Sequence, residues 1–69
     1  MKLWIARDKD GYLSISNYKL IYTGFPQSWA PPKEYYSDDT SFHVYIDAKL
    51  FPEVTFENSP QEVELVIKK

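Results

Sequence analysis

The four residues Asp8-Lys9-Asp10-Gly11 constrain the fold more than any other part of this sequence, because they separate two runs of alternating side chains. Residues 2–8 place Leu3 and Ile5 on one side and Trp4 and Ala6 on the other. Residues 12–16 place Leu13 and Ile15 opposite Tyr12, Ser14 and Ser16. Alternation with a period of two is the pattern of a strand with two distinct faces. The intervening residues suit a type I turn closed by a left-handed glycine, a three-residue hairpin loop with a bulge. Pairing Asp8 with Tyr12 sets Ile5 across from Ile15 and Arg7 across from Leu13, so the turn and the hydrophobic pattern ask for one register.

Further β-prone segments follow. Residues 18–23 alternate Tyr18, Leu20 and Tyr22 against Lys19, Ile21 and Thr23, which predicts a third strand. Between Gly24 and Asp39, Pro26, Pro31 and Pro32 remove backbone donors and bias the residues before them to extended conformations, so a long Pro/Tyr-rich loop is expected there. Residues 41–47 set Phe42, Val44 and Ile46 against His43, Tyr45 and Asp47. Residues 47–51 suit one helical turn capped by Asp47 and stopped by Pro52. Residues 53–57 alternate again, as does the run carrying Val63, Leu65 and Ile67, and a turn over residues 58–61 would join the two as a second hairpin. The expectation is all-β: an antiparallel sheet of about five strands, curled into a small barrel or roll. Its core would comprise Leu3, Ile5, Leu13, Ile15, Phe42, Val44, Ile46, Val54, Phe56, Val63, Leu65 and Ile67.

Sixty-nine residues have room for one domain, residues 1–69. A domain of this size hides only about 60% of its unfolded surface, and the absence of cysteine removes disulfides and thiolate metal sites as reinforcement. One histidine cannot build a histidine cluster, and no cofactor is implied. Twelve aromatic residues are the substitute, each able to bury roughly 150–250 Å². The formal charge of −2 gives no bulk attraction to phosphate or to anionic membranes. No apolar run approaches the roughly 18 residues of a membrane span, and the opening residues meet charge too soon for a signal peptide, so a cytoplasmic location is expected.

The segments IARDKDGYL (residues 5–13) and LFPEVTFENSPQEVEL (residues 50–65) resemble a group of short proteins encoded by gut bacteria, their phages and mobile elements. The match spans both ends, about a third of the chain, and residues 24–45 lie outside it. The group has no established activity, so no catalytic or binding residue carries over. The resemblance implies a context only, that of a small cytoplasmic accessory protein linked to a phage or mobile element.

Candidate sites divide by chemistry. Aligning Gly11 with the invariant glycine of a calcium loop puts Ala6 at the first ligand position and Asn17 where the bidentate glutamate belongs, so residues 8–11 are read as a turn and no metal site is expected. His43 is the only side chain with an ordinary pKa near neutrality, but its nearest candidate partners, Ser37, Asp39 and Ser41, are neighbours in sequence alone. Glu53, Glu57, Glu62 and Glu64 would form a solvated acidic strip that discourages edge-to-edge aggregation. Pro31-Pro32 is too short a signal for a polyproline ligand.

The aromatic excess is the more informative feature. With the core filled as above, Trp4, Tyr12, Trp29, Tyr35, Tyr36 and Tyr45 remain as candidate binding residues, and Tyr and Trp are the types most enriched at binding hot spots. Two outcomes are open. Either the loop folds over the second sheet face and buries Trp4 and Trp29 as a satellite core, or it leaves them exposed. The function expected is therefore a non-enzymatic protein-interaction module that binds another protein or a second copy of itself. The alternative is single-stranded nucleic-acid binding, with bases stacked on Trp4, Tyr12 and Tyr45.

Overall fold

The computed structural model describes residues 2–24, 28–35 and 39–67. Its main element is an open four-stranded antiparallel sheet built on the hairpin that the turn chemistry requires. Strand β1 (Lys2–Arg7) pairs with β2 (Leu13–Ser16), with Ile5 opposite Ile15 and Arg7 opposite Leu13. The Asp8 N–H donates to the Tyr12 carbonyl at 2.8 Å and the Gly11 N–H to the Asp8 carbonyl at 3.0 Å. Gly11 has φ 101°, a value that a side chain would strain, which is why the turn ends on glycine.

Strand β3 (Ile21–Tyr22) does not join this sheet. It pairs with β4 (Trp29–Ala30) in a separate two-stranded sheet, and the strand expected over residues 18–23 is only two residues long. The cause lies at the end of β2. The Ser16 hydroxyl donates to the Tyr18 carbonyl at 2.7 Å, turning the chain across the sheet, while the Asn17 side chain bonds Thr40 and Phe42. Strand β5 (His43–Ile46) thereby takes the place beside β2, and β6 (Gln61–Glu64) pairs with β1, giving the order β5-β2-β1-β6. No closed barrel forms among the described residues. The segment read as an irregular loop holds β4 and a single 3-10 turn over Lys33–Tyr35, whose last N–H donates to the Pro32 carbonyl.

Residues 53–57 are not a strand, although they alternate, and the second hairpin predicted from them does not exist. Their backbone groups are claimed locally. The Val54 N–H donates to the Phe51 carbonyl, the Thr55 N–H donates to Asn58 Oδ1, and the Asn58 backbone N–H donates in return to the Thr55 hydroxyl. Residues 47–51 form a turn rather than a helix, with the Asp47 carboxylate accepting the Lys49 N–H as a cap would. Freed from any partner in 53–57, β6 meets the other edge of β1, where Leu3 faces Val63 and Lys2 faces Glu64.

Alternation gives the sheet two faces, and each acquires its own core. On the first face Ile5, Leu13 and Val54 are buried, with Ile15, Ile46 and Val63 packed around them. On the second face Ala6, Ser14 and Ser16 form a floor of small residues, and Tyr18 and Leu20 bury against Ala6 beneath Trp29 and Tyr35. Several expected core residues are exposed instead: Phe42, Val44, Leu65 and, at 87%, Ile67. Among the described residues the 47–58 segment covers the first face, and Val54 is its one buried side chain.

That segment is held by Arg7. The guanidinium donates to five carbonyls: Nε to Val54, Nη1 to Gly11 and Ala48, and Nη2 to Leu50 and Phe51, at 2.6 to 3.2 Å. These match the five N–H groups of an arginine fork, a pattern that lysine, with three donors on a point charge, cannot reproduce. We expect Arg7→Lys to cost about 2 kcal/mol or more, lowering the Tm by about 10 °C in a domain of this size. A thermal melt within about 2 °C of wild type would show that the carbonyl cage contributes little.

Candidate interaction surface

The structure sorts the six candidate aromatics into different environments. Tyr35 stacks on Tyr18 with ring centroids 4.7 Å apart and planes 14° from parallel, so it packs, half-buried, against the second core. Trp29 packs on the same cluster and is tied down twice, its N–H donating to Asp8 Oδ1 and its indole Nε1–H to the Arg7 carbonyl, both at 3.1 Å. Trp4 is half-buried on the second face, between Ser16 and Glu62 in register. Tyr36 lies outside the described residues.

Tyr12 and Tyr45 remain, and the fold brings them together. Tyr45 lies opposite Ser14 because β5 pairs with β2, which places its ring edge-on to Tyr12 at 5.9 Å and 67°. Both residues are more than 60% exposed. His43, one residue pair further along the same face, tilts against Tyr45 at 5.9 Å. A second aromatic group was hidden from the sequence: Tyr22, Trp29 and Phe56 meet with centroids 5.7 to 6.3 Å apart. Alternation had assigned Phe56 to the main core, and only the turns of residues 51–58 redirect it. Beside Phe56, between the 8–11 turn and residues 52–57, an open cleft of about 530 Å³ has Lys9 and Glu57 among its walls.

Under the Tyr12–Tyr45 pair sits the carboxylate of Asp8, only 6% exposed. It accepts the Trp29 N–H and, at 3.4 Å, the Tyr45 hydroxyl. Burial pushes its pKa above the ordinary 3.8, and the repulsion of Asp10 adds to this, while the bonds from Trp29 and Tyr45 and the nearby His43 work against the rise. Burial also lowers the pKa of His43 from 6.5, opposed by Asp8. Its Nε2 is buried and has no hydrogen-bond partner among the described residues, so that nitrogen does not face solvent as a general base would need to. Burial, then Asp8, pushes the Tyr45 phenol above 10, keeping it a hydrogen-bond donor. Of the neighbours considered for His43, Ser41 donates its hydroxyl to the Tyr35 carbonyl, Asp39 is exposed and Ser37 lies outside the described residues. The acidic strip does not form, since Glu53 and Glu57 are off any strand. Glu62 and Glu64 share β6, where Glu62 pairs with Lys2 at 3.6 Å. Among the described residues no helix is long and apolar enough to cross a membrane.

The two shifts make opposite contributions to stability. The folded protein holds the Asp8 proton more tightly than the unfolded chain does, so the Asp8 contribution is complete below pH 3.8 and is lost as pH rises through the raised folded value. For His43 the contribution is complete above pH 6.5 and is lost as pH falls through the lowered folded value. Urea midpoints measured from about pH 3 to about pH 8 should therefore fall for wild type relative to Asp8→Asn as the carboxylate ionises. His43→Phe should remove the acid-side loss below pH 6.5. Parallel wild-type and Asp8→Asn profiles would mean that the buried carboxylate is not disfavoured. No protein-family model, curated protein or solved structure matches the chain, so its own side chains carry the functional reading.

Proposed function

We propose that the chain is a non-enzymatic protein-interaction module, with the Tyr12–Tyr45 pair and the neighbouring β5 edge as its contact surface. The observation that carries this reading is the meeting of two tyrosines, both more than 60% exposed, Tyr12 at the end of the β1–β2 turn and Tyr45 on the edge strand β5. Tyrosine supplies a large contact area at a small cost in side-chain entropy, and a hydrogen-bonded phenol loses less on binding than a free one. The Asp8 bond to Tyr45 provides that restraint on one of the pair. The resemblance of both ends to proteins of phages and mobile elements supports a cytoplasmic accessory role. The alternative, stacking of nucleic-acid bases, is less favoured. Asp8 and Asp10 act on Tyr45, and Glu62 and Glu64 lie on the same sheet, where a phosphate backbone would need cations.

Tyr12→Ala removes a ring that supports no core, so the Tm should stay within the change expected from about 0.5 kcal/mol, while capture of a partner protein from a bacterial lysate is lost. Tyr35→Ala, by contrast, should cost about 2 kcal/mol through the loss of its stack on Tyr18. Capture that survives nuclease and disappears in Tyr12→Ala supports the reading. Capture abolished by nuclease transfers the surface to nucleic acid, and capture unchanged in Tyr12→Ala removes the pair from the interface.

A further inference from the structure

The two edges of the main sheet differ in a way that identifies what the open one can accept. Strand β6, at one edge, carries Glu62 and Glu64. Strand β5, at the other, is His-Val-Tyr-Ile, preceded by Phe42, with neither a formal charge nor a proline across residues 42–46. Charges and prolines are what usually keep a strand edge from pairing with another chain, and β5 has none of them.

The main-chain directions of β5 follow from its start. The Phe42 N–H donates to Asn17 Oδ1, and the Phe42 carbonyl accepts the Asn17 N–H, so residue 42 is turned towards β2. Alternation then turns Val44 and Ile46 towards β2 as well, and turns the N–H and C=O groups of His43 and Tyr45 towards the open edge. These are the groups that an added strand would engage.

We propose that the occupant is a second copy of this chain, its β5 antiparallel to the first about a two-fold axis at Val44. This rests on the interaction-module reading and specifies its partner. The axis sets Val44 against Val44 of the second copy, Phe42 against Ile46, and His43 against Tyr45. Side chains that face each other then share a face of the sheet, as antiparallel pairing requires. His43 and Tyr45 fall at the hydrogen-bonded pairs and Val44 at the non-hydrogen-bonded pair, the same phase that the Asn17–Phe42 contacts fix within one copy. On the first face the pairing covers Phe42 and Val44, which are 37% and 49% exposed. The same operation on β6, centred on Val63, would set Glu62 against Glu64 and is opposed by like charge. The interface is isologous, so it closes at a dimer with an eight-stranded sheet and does not propagate into a fibre.

Sedimentation equilibrium from about 5 μM to about 1 mM, the range of weak association, tests the pairing. Wild type should shift from monomer to dimer across this range. Val44→Lys and Val44→Glu, at a half-exposed position, should each weaken self-association by about tenfold or more, because the axis opposes each new charge to itself. An equimolar mixture of the two variants should restore the dimer, which also shows that both are folded. A monomeric wild type overturns the proposal, as does a dimer that both variants leave intact or a mixture that stays monomeric. A monomeric wild type that still captures a protein through Tyr12 leaves the interaction reading standing, and one that captures nothing removes both.

Discussion

Two consecutive residues at the end of β1 hold both covering layers onto the sheet. Successive side chains of a strand point to opposite faces, so Arg7 and Asp8 reach in opposite directions from one place. Arg7 gathers the 48–54 segment through its carbonyls, and its own N–H donates to the Ser59 hydroxyl. Asp8 takes the Trp29 N–H and the Tyr45 hydroxyl on the other side, while the Arg7 carbonyl takes the Trp29 indole. The arginine is satisfied without a carboxylate, since carbonyl oxygens accept from every donor of the fork. The aspartate keeps a buried carboxyl with fewer bonds, and its raised pKa is the cost of that placement.

The second core depends on what the sheet leaves out. Ala6, Ser14 and Ser16 present so little side chain that Tyr18, Leu20 and Trp29 can lie close over the strands. Larger residues there would fill the space and lift the aromatic layer away. The serines do not remain unsatisfied in this apolar setting, for Ser16 bonds the Tyr18 carbonyl and Ser14 lies 3.5 Å from the carbonyl of Ala6. A chain too short for a deep single core thus builds two shallow ones, with the sheet as their common wall.

How much of this was legible in the sequence depended on how local its cause was. The 8–11 hairpin was readable to its register because glycine, the aspartates and the flanking alternation all lie within a few residues of one another. Residues 53–57 carried the same alternation and misled, because strand pattern says nothing about backbone groups already taken by Asn58, Phe51 and the distant Arg7. The place of β5 beside β2 was not readable either, and with it went the meeting of Tyr12 and Tyr45, which are far apart in sequence. The stack of Tyr35 on Tyr18 was not readable for a related reason, since the alternation of residues 18–23 asks for a strand at Tyr18 and none forms there.

Exposed apolar side chains in a small domain have two different origins here, and the register separates them. Leu65, Val66 and Ile67 follow β6, which ends at Glu64, so their exposure belongs to residues past the end of a strand. Val44 lies inside a paired strand, on the same face as buried Leu13 and Ile5. The covering segment is tied to Arg7, whose row of the sheet runs through Leu13 to Ile46, and so its cover reaches Ile46 and stops short of Val44 and Phe42. The interaction that completes the first core also fixes where that core ends. A tether placed at the other end of β1 would reverse the pattern, covering Phe42 and leaving Ile46 at the open end of the face.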